Sequence, residues 1–130
     1  AEVYRNQGEN EKSLKILEEA ETFAASIDKP SFKESAIARI AAGYAKARFF
    51  EKAVSLAISA RSSKSLTEIA QLLFEAGDRT GAETTLNQAL SLPYLTPNSW
   101  VEIAEVYAAN GYNQEAMNII ERLDKPFPYP

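Results

Sequence analysis

Apolar residues recur at intervals of three and four along almost the whole of this 130-residue chain, and that spacing limits the fold more than any other feature. Ile37, Ile40, Ala41 and Tyr44 form one stripe, Leu66, Ile69, Ala70 and Leu73 a second, and Trp100, Ile103, Ala104 and Tyr107 a third. Each is about two helical turns long, enough to seal one face of a short helix. Alternating strand-like segments are absent, and twenty-one alanines against four valines favour helix over sheet. The expected class is all-α, with no strand and eight helices over about 1–7, 10–27, 31–47, 51–61, 65–76, 79–92, 97–110 and 113–123.

Start and stop signals fall where these stripes need them. Ser31-Phe-Lys-Glu34 and Ser65-Leu-Thr-Glu68 read as capping boxes, in which a hydroxyl accepts a free backbone N–H and the glutamate reaches back. Thr96-Pro97 sets a cap before a first-turn proline. Asn10, Asp78 and Asn113 can cap the helices after them. Gly8, Gly77 and Gly111 each follow an apolar stripe, where a left-handed residue ends a helix.

The punctuation also reveals a repeat. Aligned on Gly8, Arg48, Gly77 and Gly111, the position seven residues earlier is always alanine: Ala1, Ala41, Ala70 and Ala104. Five residues after the turn stand Ser13, Ala53, Ala82 and Ala116, and nine after stand Leu17, Ala57, Leu86 and Ile120. Each unit is thus a helix, a tight turn and a second helix, with small residues where the two must approach closely. The last unit carries Trp100, Ile103-Ala104, Tyr107, Gly111, Ala116, Ile120 and Pro128. This pattern resembles the tetratricopeptide repeat family. The resemblance implies an α-solenoid of antiparallel helix pairs winding into a right-handed superhelix, in units of about 1–33, 34–62, 63–96 and 97–130. It also implies that the first helices line a concave groove that docks a peptide or protein segment.

The sequence departs from that family's regularity. Its turn residues are spaced 40, 29 and 34 apart, and Arg48 replaces the usual small residue. The chain opens seven residues into a unit, which reads as a piece of a longer array or multidomain protein. The lack of a leader at this start says nothing of compartment, and the cytoplasm is the default expectation.

Composition narrows the chemistry. With no cysteine and no histidine, thiolate, imidazole and Cys/His metal mechanisms are excluded. Fourteen basic residues against eighteen acidic ones give a net charge of −4, which argues against nucleic acid as the main partner. No apolar run approaches the ~18 residues of a membrane span. Ser26-Ile-Asp-Lys29 matches S-x-x-K by letters, but its ordinary reading is a helix end before Pro30. Arg61-Ser-Ser-Lys64-Ser65 reads as a solvated loop that could take phosphorylation or hold an acidic segment. Phe49-Phe50 reads as a plug between two helices rather than a docking patch. No phosphate loop, metal motif or cofactor motif is present, so the chain is expected to be neither an enzyme nor a cofactor carrier.

Surface shape remains as the carrier of function. The groove stripe implied by the repeat contains Arg5, Asn6, Ala42, Lys46, Lys64, Thr67, Gln71, Phe74, Glu75, Val101 and Glu105, with Phe74 as its expected aromatic anchor. Glu68 and Glu102 stand where basic groups would serve a terminal carboxylate, so capture of a C-terminus is not expected. The partner is expected to be a protein or peptide, with self-association through the ends of the array as a further outcome. A spacer or packing domain without its own ligand is the alternative role. The C-terminal Pro126-Phe127-Pro128-Tyr129-Pro130 is expected to fold back, with one ring capping the last pair.

Overall fold

The computed structural model describes residues 2–93 and 95–123, and for residues 2–10 the backbone alone. Seven helices and no strand occur among the described residues: α1 (Glu2–Ala25), α2 (Pro30–Lys46), α3 (Phe50–Ser59), α4 (Ser63–Glu75), α5 (Arg79–Leu90), α6 (Pro97–Ala109) and α7 (Asn113–Leu123). The all-α class is therefore as expected. The count falls by one because α1 runs unbroken through Gly8, so Asn10 is helix interior rather than a cap. A glycine costs about 1 kcal/mol inside a helix but does not by itself end one. The residues after it, Glu9 to Lys15, are mostly good helix formers.

Both expected capping boxes are displaced by neighbouring residues. Pro30 occupies the first turn of α2 and its fixed φ starts the helix a residue early. Lys29 then sits at the cap without a side-chain bond, and Ser31 falls inside the first turn. Helix α4 begins at Ser63, capped by Ser62, whose Oγ accepts from the Ser65 N–H at 3.1 Å. Ser65 is thus inside the helix, where its hydroxyl donates across to the Ala38 carbonyl of α2 at 3.4 Å. Asp78 and Thr96 cap as their spacing predicts, accepting from Gly81 and Ser99 at 2.9 and 3.2 Å.

Four turns share one construction. Arg48, Arg61, Gly77 and Gly111 all take positive φ, at 74°, 55°, 87° and 91°. After each, a backbone N–H reaches the carbonyl five residues back: Phe49 to Tyr44, Ser62 to Ala57, Asp78 to Leu73 and Tyr112 to Tyr107, at 2.8–3.1 Å. These bonds satisfy carbonyls that the helix end would leave bare. Glycine adopts this conformation freely, whereas an L side chain pays a steric cost at Cβ. Arg61→Gly is therefore expected to raise stability by about 0.5–1 kcal/mol, the relieved strain exceeding glycine's extra unfolded-state entropy. A denaturation midpoint no higher than that of the parent would contradict this.

The turns at Arg48, Gly77 and Gly111 join helices that pack tightly on one another, α2 with α3, α4 with α5 and α6 with α7, whereas the Arg61 turn joins α3 to α4, which pack less closely. The first members also touch in sequence, α2 with α4 and α4 with α6, whereas no comparable packing joins α3 to α5 or α5 to α7. Helix α4 is the hub, meeting α2, α3, α5 and α6. One continuous core results, in which Leu66, Ile69, Leu86 and Ile103 are wholly buried beside Ala41, Ala53, Ala57, Ala70, Ala82 and Ala89. Phe49 meets Tyr44 edge-on at 6.2 Å, and Phe50 also packs against the core, so the pair plugs the turn as expected. Phe127 and Tyr129 lie outside the described residues.

A polar tether attaches α1 to the next pair. The Tyr44 hydroxyl donates to the Glu21 carboxylate, which also pairs with Lys52 Nζ at 3.0 Å. Burial alone would raise the Glu21 pKa, but the Tyr44 hydrogen bond and Lys52 outweigh it and hold it below its ordinary value of 4.5. Burial and the Glu21 charge push Tyr44 well above its ordinary 10.0. A depressed carboxyl gives stability that is lost as pH falls below 4.5, and a raised phenol gives stability that is lost as pH rises above 10.0. Stability is thus expected to fall at both extremes, and Glu21→Gln should flatten the acid limb. Urea melts across pH test this; an acid limb identical in the variant would reject the tether as its source.

Candidate functional site

Two side-chain hydrogen bonds fix α4 against α6. Ser63 Oγ donates to Ser99 Oγ at 3.2 Å near the start of both helices, and Asn110 Nδ2 donates to Gln71 Oε1 at 2.9 Å near their ends. Matching starts and matching ends mean that the two helices run parallel. Between the two bonds lies a shallow groove of about 390 Å³ lined by Lys64, Thr67, Glu68, Gln71, Glu102, Glu105, Val106 and Ala109.

Much of its floor presents carbon. Thr67 turns its hydroxyl back to the Ser63 carbonyl at 2.7 Å. The Gln71 amide is engaged on both sides, accepting from Asn110 and donating to Glu75 Oε2 at 3.1 Å. Val106 and Ala109 add apolar surface from α6. The rim is ionic, with Glu68, Glu102 and Glu105 exposed alongside a single exposed lysine, Lys64.

The sequence-derived stripe divides here. Lys64, Thr67, Gln71 and Glu105 come together in the groove, although Thr67 is itself buried. Glu75 is exposed one turn beyond Gln71, and Val101 is exposed on α6 without lining the groove. Ala42 and Lys46 lie on α2, half-buried and exposed respectively, away from this lining. The side chains of Arg5 and Asn6 fall outside the described residues.

Phe74 requires a correction. It is 9% exposed and belongs to the core, so it cannot serve as a groove anchor. Its ring meets Tyr112 at 5.6 Å, and the Arg79 guanidinium lies 5.9 Å from it and 4.7 Å from the Tyr112 ring. Arg79 also donates to the Tyr112 hydroxyl at 3.1 Å and to the Asn110 carbonyl at 3.2 Å. This cluster binds one turn to the next and thereby sets Asn110 against Gln71. Sequence reasoning missed Arg79, Asn110 and Tyr112; the available signal was the polar and aromatic pair flanking Gly111 and an arginine two residues after Gly77.

A second depression separates α3 from α5. It holds about 530 Å³ and is lined by Phe50, Val54, Ile58 and Leu73 on its apolar side, with Thr84 and Gln88 opposite. It is larger than the α4–α6 groove but lies where no helix-to-helix packing closes it. Apolar side chains are also exposed on helices near both ends of the described chain: Ile16 and Phe23 of α1, Phe32 of α2, and Met117 and Ile120 of α7. No described helix is long and apolar enough to cross a membrane. No protein-family model matches the chain, and comparison with curated proteins gives no match.

Proposed function

We propose that the chain is a protein-interaction module of the tetratricopeptide kind, which docks a peptide or protein segment in the groove between α4 and α6 and performs no catalysis. One observation carries the reading: the groove is held open and in register by hydrogen bonds at both ends, Ser63 to Ser99 and Gln71 to Asn110. A binding surface fixed before its partner arrives loses less conformational entropy on association. Packing of α2 on α4 and of α4 on α6, with α3 and α5 set apart, supports stacking of the pairs into a superhelix with the first helices inside.

Site-specific photocrosslinking in cells tests the location. Benzoylphenylalanine at Glu105 should give a partner adduct that the same group at Thr84, on the opposite depression, does not. Adducts from Thr84 alone would move the site to the outer helices.

A packing role within a larger assembly is the second reading. Exposure of Ile16, Phe23 and Phe32 at one end and of Met117 and Ile120 at the other favours it, since a neighbour would cover these side chains. End-to-end self-association is one way to do so, and a sedimentation coefficient that rises with concentration would reveal it.

A further inference from the structure

We infer that the segment held between α4 and α6 is basic: a short extended stretch with one apolar side chain for the floor and at least two lysines or arginines for the rim. The inference rests on the groove reading above and adds the chemistry of its occupant. Glu68 from α4 and Glu102 and Glu105 from α6 share the lining with one cation, Lys64 of α4, leaving two uncompensated negative charges around a small apolar floor. Glu102 and Glu105 are three apart on one helix and so share a face. None of the three forms an ion pair among the described residues, where the only one present joins Lys52 to Glu21.

Their mutual repulsion is a standing cost that a cation removes. The floor offers an arriving anion little in return, because the Thr67 hydroxyl and the Gln71 amide are already bonded within the chain. An acidic segment would meet three carboxylates against one ammonium. A net charge of −4 over the whole chain extends the same preference to longer range.

Size limits the occupant as well. Lys64 and Gln71 stand seven positions apart on α4, about 10 Å of helix, which matches about three residues of extended chain. A folded domain would not enter; a linear segment would.

The test is selection of short linear peptides from a random phage-displayed library against the intact chain. Synthetic copies of the selected peptides are then titrated onto the parent and two variants. Glu102→Lys with Glu105→Lys reverses the rim at exposed positions, and Ala109→Trp fills the floor; circular dichroism checks that both remain helical. The expected result is enrichment of Lys/Arg-bearing peptides. Their affinity should fall about tenfold or more in the charge-reversed variant and on raising ionic strength from about 0.1 to 1 M, which shortens the screening length from about 10 to 3 Å. Ala109→Trp should weaken them as well. Peptides weakened by Ala109→Trp but not enriched in basic residues would overturn the inference and leave the groove standing. Failure to select any peptide, or binding indifferent to both variants, would overturn the groove itself.

Discussion

Ile69→Ala is expected to destabilise the fold by about 2–5 kcal/mol, a large share of the 5–15 kcal/mol that holds a typical domain together. Ile69 has no exposed surface and sits on α4, the helix that meets α2, α3, α5 and α6. Its truncation removes apolar contacts and opens a cavity beside a helix anchored on four sides, which leaves the surroundings little freedom to collapse. Chemical denaturation read by circular dichroism measures the loss. A cost below about 1 kcal/mol would mean that α4 is not the hub of the core.

Ala82→Leu probes the opposite failure, excess volume. Ala82 is 0% exposed near the start of α5, where that helix packs on α4. Its counterparts in the neighbouring pairs, Ala53 and Ala116, are also buried. Three extra carbons there must either push the helices apart or strain a rotamer, at an expected cost of about 1–3 kcal/mol. The same change at exposed Ala108 should stay within about 0.5 kcal/mol. Equal effects at the two sites would show that small residues were placed for helix propensity rather than close approach.

The contrast between those alanines marks what could be read from the letters. Buried small positions repeat at a fixed distance from the Arg48, Gly77 and Gly111 turns, where two helices approach closely, so periodicity locates Ala53, Ala82 and Ala116. Gly77 and Gly111 are legible for the same reason, since both turns need positive φ. Arg61 is not legible, because an arginine in a left-handed conformation has no compositional signature. Its turn starts α4 two residues before the spacing suggests. At the site, Lys64, Gln71 and Glu105 follow from helical phase, whereas the burial of Phe74 depends on Tyr112 and Arg79. Both lie beyond the end of α4, and phase along α4 carries no information about them.

Recognition through the α4–α6 groove is tested most directly by mapping backbone amide shifts in the ¹⁵N-labelled chain as a selected basic peptide is added. The largest changes are expected at Thr67, Gln71, Glu102, Val106 and Ala109, which line that groove. Changes concentrated instead at Val54, Ile58, Thr84 and Gln88, along the depression between α3 and α5, would contradict it.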